Sequence, residues 1–114
     1  MTLNSKPNSA SIISEPNTEV SLIFTIRGLA DISVVFEAVG GNFNNQSYSI
    51  FVSNDGSEFI KLRDVKMGYD NVISNSWTPE NQGYHGSPVY WAIVKISVPA
   101  LGADVRCKAL ISGR

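Results

Sequence analysis

Few side chains in this chain could do chemistry. His85 is the only histidine among 114 residues, so a Ser-His-Asp relay or a histidine-based zinc centre would need one imidazole and scattered acids. Asp64, Asp70 and Asn71 could offer oxygen atoms to calcium, but they lack the dense alternation of ligands found in a dedicated binding loop. Solvated turns account for them more simply. Cys107 is the only cysteine; it has no partner for an intramolecular disulfide, and its alternating apolar neighbours read as the setting of a small buried hydrophobe. The sequence brings no titratable groups together as an active site requires, so the expectation is a chain with no catalytic residues, no cofactor and no metal site. Trp77, Tyr84, Tyr90 and Trp91 offer a different chemistry, because aromatic faces exposed on a β-framework can stack on a surface glycan. Burial in a core or an interface is the alternative use of the same rings.

Composition narrows the partners. Nine Lys and Arg against ten Asp and Glu give a net charge of −1, with no concentrated basic stripe, so nucleic acid is not expected. The apolar runs are only a few residues long, against the ~20 of a membrane-spanning helix, and no membrane role is expected. Met1 to Ser14 has neither the basic start nor the apolar centre of a secretory signal. Charge is unevenly placed. Gly28 to Ile60 holds Asp31, Glu37, Asp55 and Glu58 without Lys or Arg, while Val89 to Arg114 holds Lys95, Arg106, Lys108 and Arg114 against Asp104. Neighbouring strands of opposite outward charge would account for this within one molecule, and complementary surfaces would account for it between subunits.

The elements that must position these residues are strands. Val20, Leu22, Phe24 and Ile26 alternate with Ser21, Thr25 and Arg27, and Ile32, Val34, Phe36 and Ala38 alternate with Asp31, Ser33, Val35 and Glu37. Each run predicts a half-buried strand. A loop over Gly40 to Gln46 precedes a strand over Tyr48 to Val52, whose return strand, Glu58 to Arg63, follows an Asn54-Asp55-Gly56 turn. Between Met67 and Pro88 the pattern breaks into a long aromatic-bearing loop, with one strand expected near Val72 and Ile73. Tyr90 to Val98 and Asp104 to Ser112 predict a closing hairpin around Pro99 to Gly102. Seven or eight short strands without helical periodicity predict an all-β fold: a two-sheet antiparallel β-sandwich, jelly-roll-like by strand count, with an immunoglobulin-like connection the alternative that periodicity does not separate from it.

Residues 1–19, rich in Asn and Ser and broken by Pro7 and Pro16, predict an extended N-terminal arm ahead of a sandwich domain at 20–114. Ile12 and Ile13 could pack this arm on its own sheet, or the arm could be laid on a neighbouring subunit by strand addition. Ile23 and Val35 interrupt otherwise polar faces and, with Trp91 and Ile93, could form one apolar patch. The candidate assembly contacts are Leu3, Ile12, Ile13, Ile23, Val35, Trp77, Tyr84 and Trp91.

The segment Ser53 to Leu62, read with Tyr90 to Val105, resembles a recurrent kind of bacteriophage virion protein. The shared pattern is an early strand ending in a phrase like Val35-Phe36-Glu37-Ala38, a Ser-x-Asp-Gly turn followed by an aromatic and a Leu, and a late alternating strand turning into the last one. The resemblance covers about Val20 to Gly113 and implies a β-sandwich module of a phage virion. It implies a capsid cement or decoration protein on the outer capsid surface, or a tail or fibre component. The implied partners are the major capsid protein and copies of the chain itself, as a dimer or trimer. Small size and the arm favour cement, since extended segments bury surface on several neighbours.

Overall fold

The computed structural model describes residues 2–5, 9–25, 31–77 and 93–113. Among the described residues are nine strands: β1 (Thr2–Ser5), β2 (Ser9–Ile13), β3 (Val20–Thr25), β4 (Ile32–Val39), β5 (Ser47–Ser53), β6 (Ile60–Lys66), β7 (Val72–Trp77), β8 (Ile93–Val98) and β9 (Arg106–Gly113). They form a five-stranded sheet in the order β1-β3-β8-β5-β6 and a four-stranded sheet in the order β2-β9-β4-β7. Among the described residues there is no helix.

The pairing is nested. Strand β5 pairs with β6, β4 with β7, β3 with β8 and β2 with β9, all antiparallel. Two further ladders, β4 with β9 and β5 with β8, complete the sheets. This is one long antiparallel ribbon rolled into two layers, the jelly roll. Strand β1 is added outside that plan, parallel to β3 at the edge of the five-stranded sheet.

Alternation accounts for the core. Val20, Leu22 and Phe24 of β3, Ile50 and Val52 of β5, and Val94, Ile96 and Val98 of β8 point inward from one sheet; Ile32, Val34, Phe36 and Ala38 of β4 and Cys107, Ala109 and Ile111 of β9 point inward from the other. A period of two places alternate residues on one face, so each strand presents its apolar set to the opposite layer. Phe36 and Tyr48 meet across the layers with ring centroids 5.4 Å apart.

The hairpin read around Asp55 and Gly56 joins β5 to β6, with a register shift between Ile50 and Phe51. Its connection is longer than a two-residue turn. Gly56 takes φ +79°, while the Ser53 hydroxyl accepts from the N–H groups of Asp55 and Gly56. The Asp55 carboxylate accepts from the N–H groups of Ser57 and Glu58 at 2.9 Å. Side chains thus close the loop where strand pairing stops.

The closing hairpin expected from Tyr90 to Ser112 is not formed. Strand β8 pairs with β3 and β5 in one sheet, and β9 pairs with β2 and β4 in the other. The seven residues at 99–105 cross between layers, and Pro99 has no N–H with which to extend the ladder. Both apolar faces are buried by packing across the core from each other. The strand expected near Val72 and Ile73 is β7, and it is one of the two edge strands of the four-stranded sheet, opposite β2.

Within the single chain the arm lies against its own sandwich. Strand β1 lies beside β3, and β2 lies beside β9 in the register Ile12 to Ala109 and Ile13 to Lys108.

Candidate functional site

Register determines which outward side chains share a surface. On the outer face of the four-stranded sheet, one row across β2, β9, β4 and β7 reads Ile13, Lys108, Glu37 and Val72. The adjacent row reads Ser11, Leu110, Val35 and Ser74. Ile13 is 46% exposed, Leu110 41% and Val72 52%, and Val35 between them is half-buried. The five large exposed hydrophobics among the described residues are Ile13, Ile60, Tyr69, Val72 and Leu110, so three of them share this face. Glu37 stands opposite Lys108, which places part of the uneven charge of the sequence on neighbouring strands. The result is a mixed surface with apolar side chains on all four strands, Glu37 beside Lys108, and Arg106 opposite Val39 in the next row.

The sequence candidates divide accordingly. Ile13 and Val35 come together on this face. Ile12, adjacent to Ile13, turns the other way and packs against the core, as the alternation of β2 requires. Ile23 lies on β3 and is half-buried on the other sheet, opposite Lys95. Ile23 and Val35 therefore cannot share one patch, and Ile93 lies on the sheet of Ile23. Leu3 occupies the register position of Leu22, and Trp77 ends β7 at the position of Ile32. Tyr84, Tyr90, Trp91 and His85 lie outside the described residues. Leu110 and Val72 were not among the candidates. The signal for Leu110 was present, because it breaks the polar face formed by Lys108 and Ser112 just as Val35 breaks that of β4.

The outer face of the five-stranded sheet is organised differently. The Lys95 ammonium sits 4.9 Å from the centre of the Phe51 ring and 5.2 Å from that of Phe59, a cation held over two aromatic faces. Ser21 and Ser97 hydroxyls meet at 3.2 Å across β3 and β8. The Ser49 hydroxyl donates to Asp64 at 2.5 Å, and Lys61 pairs with the same carboxylate at 2.9 Å. These bonds hold the Asp64 carboxyl below its ordinary value, the Ser49 hydroxyl contributing most. Asp70 and Asn71 direct their backbone carbonyls to the N–H groups of Phe43 and Ala38. No three of the His, Cys, Asp and Glu side chains among the described residues gather as a metal centre would need, and no helix among them is long and apolar enough to cross a membrane.

Comparison with protein-family models and with curated proteins finds no match. Solved structures do match in fold. The pre-peptidase C-terminal domain of a Bacillus anthracis collagenase aligns with TM-score 0.54 and 8% identity, over 97% of this chain and 94% of that one. The SPBc2 prophage-derived protein YomS aligns with TM-score 0.53 and 11% identity, over 94% and 95%. A carbohydrate-binding module specific for non-crystalline cellulose aligns with TM-score 0.54 and 9% identity, over 93% and 73%. At such identities the likeness is one of fold: the chain is an all-β, two-sheet sandwich.

Proposed function

We propose that this chain is a non-enzymatic structural protein of a bacteriophage virion, of the capsid cement type, and that the outer face of its four-stranded sheet contacts neighbouring capsid subunits. The carrying observation is the gathering of Ile13, Leu110, Val35 and Val72 on one face. Apolar side chains grouped on one surface, here set around the central Lys108 and Glu37 pair, suit burial against another protein. The pattern shared with phage virion sandwiches supports the setting, and the fold likeness to a prophage-derived protein agrees with it. In this role the sandwich is a rigid plate, with the arm closing one side of it.

The test is co-sedimentation with assembled shells of the encoding phage from which this protein has been removed. The wild-type chain binds saturably, and Leu110→Lys and Val35→Glu lose binding while unfolding at nearly the wild-type denaturant concentration. Absence of wild-type binding to shells, or binding confined to tails, would overturn the cement reading.

A further inference from the structure

The two sheets end differently on the side away from the arm. Edge strand β6 carries Lys61, Arg63, Asp64 and Lys66, whereas edge strand β7 reads Val72-Ile73-Ser74-Asn75-Ser76-Trp77 and carries no charge. Charged side chains on an edge discourage pairing with another sheet, and an uncharged edge leaves its backbone groups available for it. Among the described residues, β7 pairs with β4 and with no strand on its other side.

The register shows which backbone groups are available. Ala38 donates its N–H to the Asn71 carbonyl at 2.8 Å, in line with the β4–β7 register of Phe36 to Ile73 and Val34 to Asn75. Hydrogen-bonded couples alternate along an antiparallel ladder, so Ile73, Asn75 and Trp77 turn their backbone groups toward β4. Val72, Ser74 and Ser76 turn theirs to the side of β7 away from β4, where no described strand lies, and all three residues are exposed.

We infer that β7 is a dimerisation edge, with the β7 of a second copy pairing antiparallel about a two-fold axis at Ser74. Ser74 then stands opposite Ser74 of the second copy, and Val72 opposite its Ser76. About six backbone hydrogen bonds form, two for each of the three couples. The charge distribution selects a second copy. The same pairing through β6 would set a strand with three basic residues and one acid against its own like, whereas β7 meets β7 without charge. An edge that is its own complement gives a closed two-fold pair. Pairing joins the two four-stranded sheets into one continuous sheet and extends the Leu110, Val35, Ser74 row across the axis. This inference does not depend on the virion reading.

Sedimentation equilibrium of the full chain, together with a cysteine placed at the axis, tests it. The wild type forms a dimer, and Ser74→Lys, which sets two ammonium groups opposite each other, raises the dimer dissociation constant roughly tenfold or more. Ser74→Cys forms a disulfide-linked dimer on mild oxidation, because hydrogen-bonded couples stand ~5.5 Å apart at Cα, within disulfide range. Ser112→Cys, two strands in from the same edge, does not. Circular dichroism and a cooperative unfolding transition confirm that each variant folds. A wild type that stays monomeric, a dimer indifferent to Ser74→Lys, or a dimer that Ser74→Cys fails to link would each overturn the inference.

Discussion

Ser14 and Cys107 exchange two hydrogen bonds. The Ser14 N–H donates to the Cys107 carbonyl and the Cys107 N–H donates to the Ser14 hydroxyl, both at 2.9 Å. Ser14 is 1% exposed, and its side chain does the work of a backbone carbonyl at the point where β2 leaves the sheet. Ser14→Ala leaves the Cys107 N–H buried without an acceptor, at a cost of about 1–3 kcal/mol. Urea unfolding measures it, and an unchanged midpoint would refute the role. Deleting residues 1–19 removes this lock together with Ile12 and five register pairs of β2, so the truncated chain should be far less stable than the Ser14 variant.

Tyr48 and Asn75 tie the layers together. The Asn75 side-chain amide donates to the Tyr48 hydroxyl, joining β5 of one sheet to β7 of the other. Burial pushes the Tyr48 phenol above its ordinary value of 10.0, against smaller opposing effects of Asn75 and Arg63. Tyr48→Phe removes the acceptor while keeping the ring, and should cost about 1–2 kcal/mol in denaturant unfolding.

Cys107 supplies a pH signature. Burial pushes its thiol from an ordinary value of 9.0 to about 11. The unfolded chain therefore loses this proton first, and the folded state's advantage, complete below pH 9, declines as pH rises toward 11. Wild-type stability should fall more steeply across that window than Cys107→Ala stability. At pH 8 the folded protein should resist a thiol-reactive dye that labels the unfolded chain rapidly. Fast labelling of the native state would contradict the burial.

Asp55 reports at the acid end. The Glu58 N–H, then the Ser57 N–H and the Ser53 hydroxyl, hold its carboxyl below the ordinary 3.8. The unfolded chain takes up the proton first as pH falls, so the loop's contribution is present above 3.8 and is lost as pH drops through the lowered value. A carboxyl-detected NMR titration should place Asp55 below a model aspartate, and an ordinary value would refute the bonding scheme. Gly56→Ala should destabilise by about 1 kcal/mol, because φ is +79° and the new methyl would meet Ile93 Cδ1 at 3.2 Å.

On the proposed assembly face, Leu110→Ser should leave stability within about 0.5 kcal/mol, since the side chain is exposed. Capsid occupancy should nevertheless fall several-fold in the co-sedimentation assay. A variant that binds like wild type would remove Leu110 from the contact.

Local pattern made much of this legible. The alternation of Ile32, Val34, Phe36 and Ala38 against Asp31, Ser33, Val35 and Glu37 announced β4 and its buried face, because a period of two is a property of the strand alone. The Asp-Gly pair marked the β5–β6 hairpin for a similarly local reason, the left-handed backbone that Gly56 accepts. Asn44 and Asn45, both at positive φ, likewise sit in the Gly40 to Gln46 run, whose Gly and Asn content marks a loop.

Partner choice was not local, and the tertiary structure decided it. Val94 and Ala109 lie on equally regular strands, yet one belongs to the five-stranded sheet and the other to the four-stranded sheet. Alternation says that a face is buried, and says nothing of which layer it is buried in. Ile23 and Val35 looked equivalent in sequence but emerged on opposite outer surfaces, and Ile13 joined Leu110 and Val35 only because β2 pairs with β9. Strand order, the course of the arm and the membership of the apolar face all rest on contacts between distant residues. They follow from how the whole ribbon closes over its core.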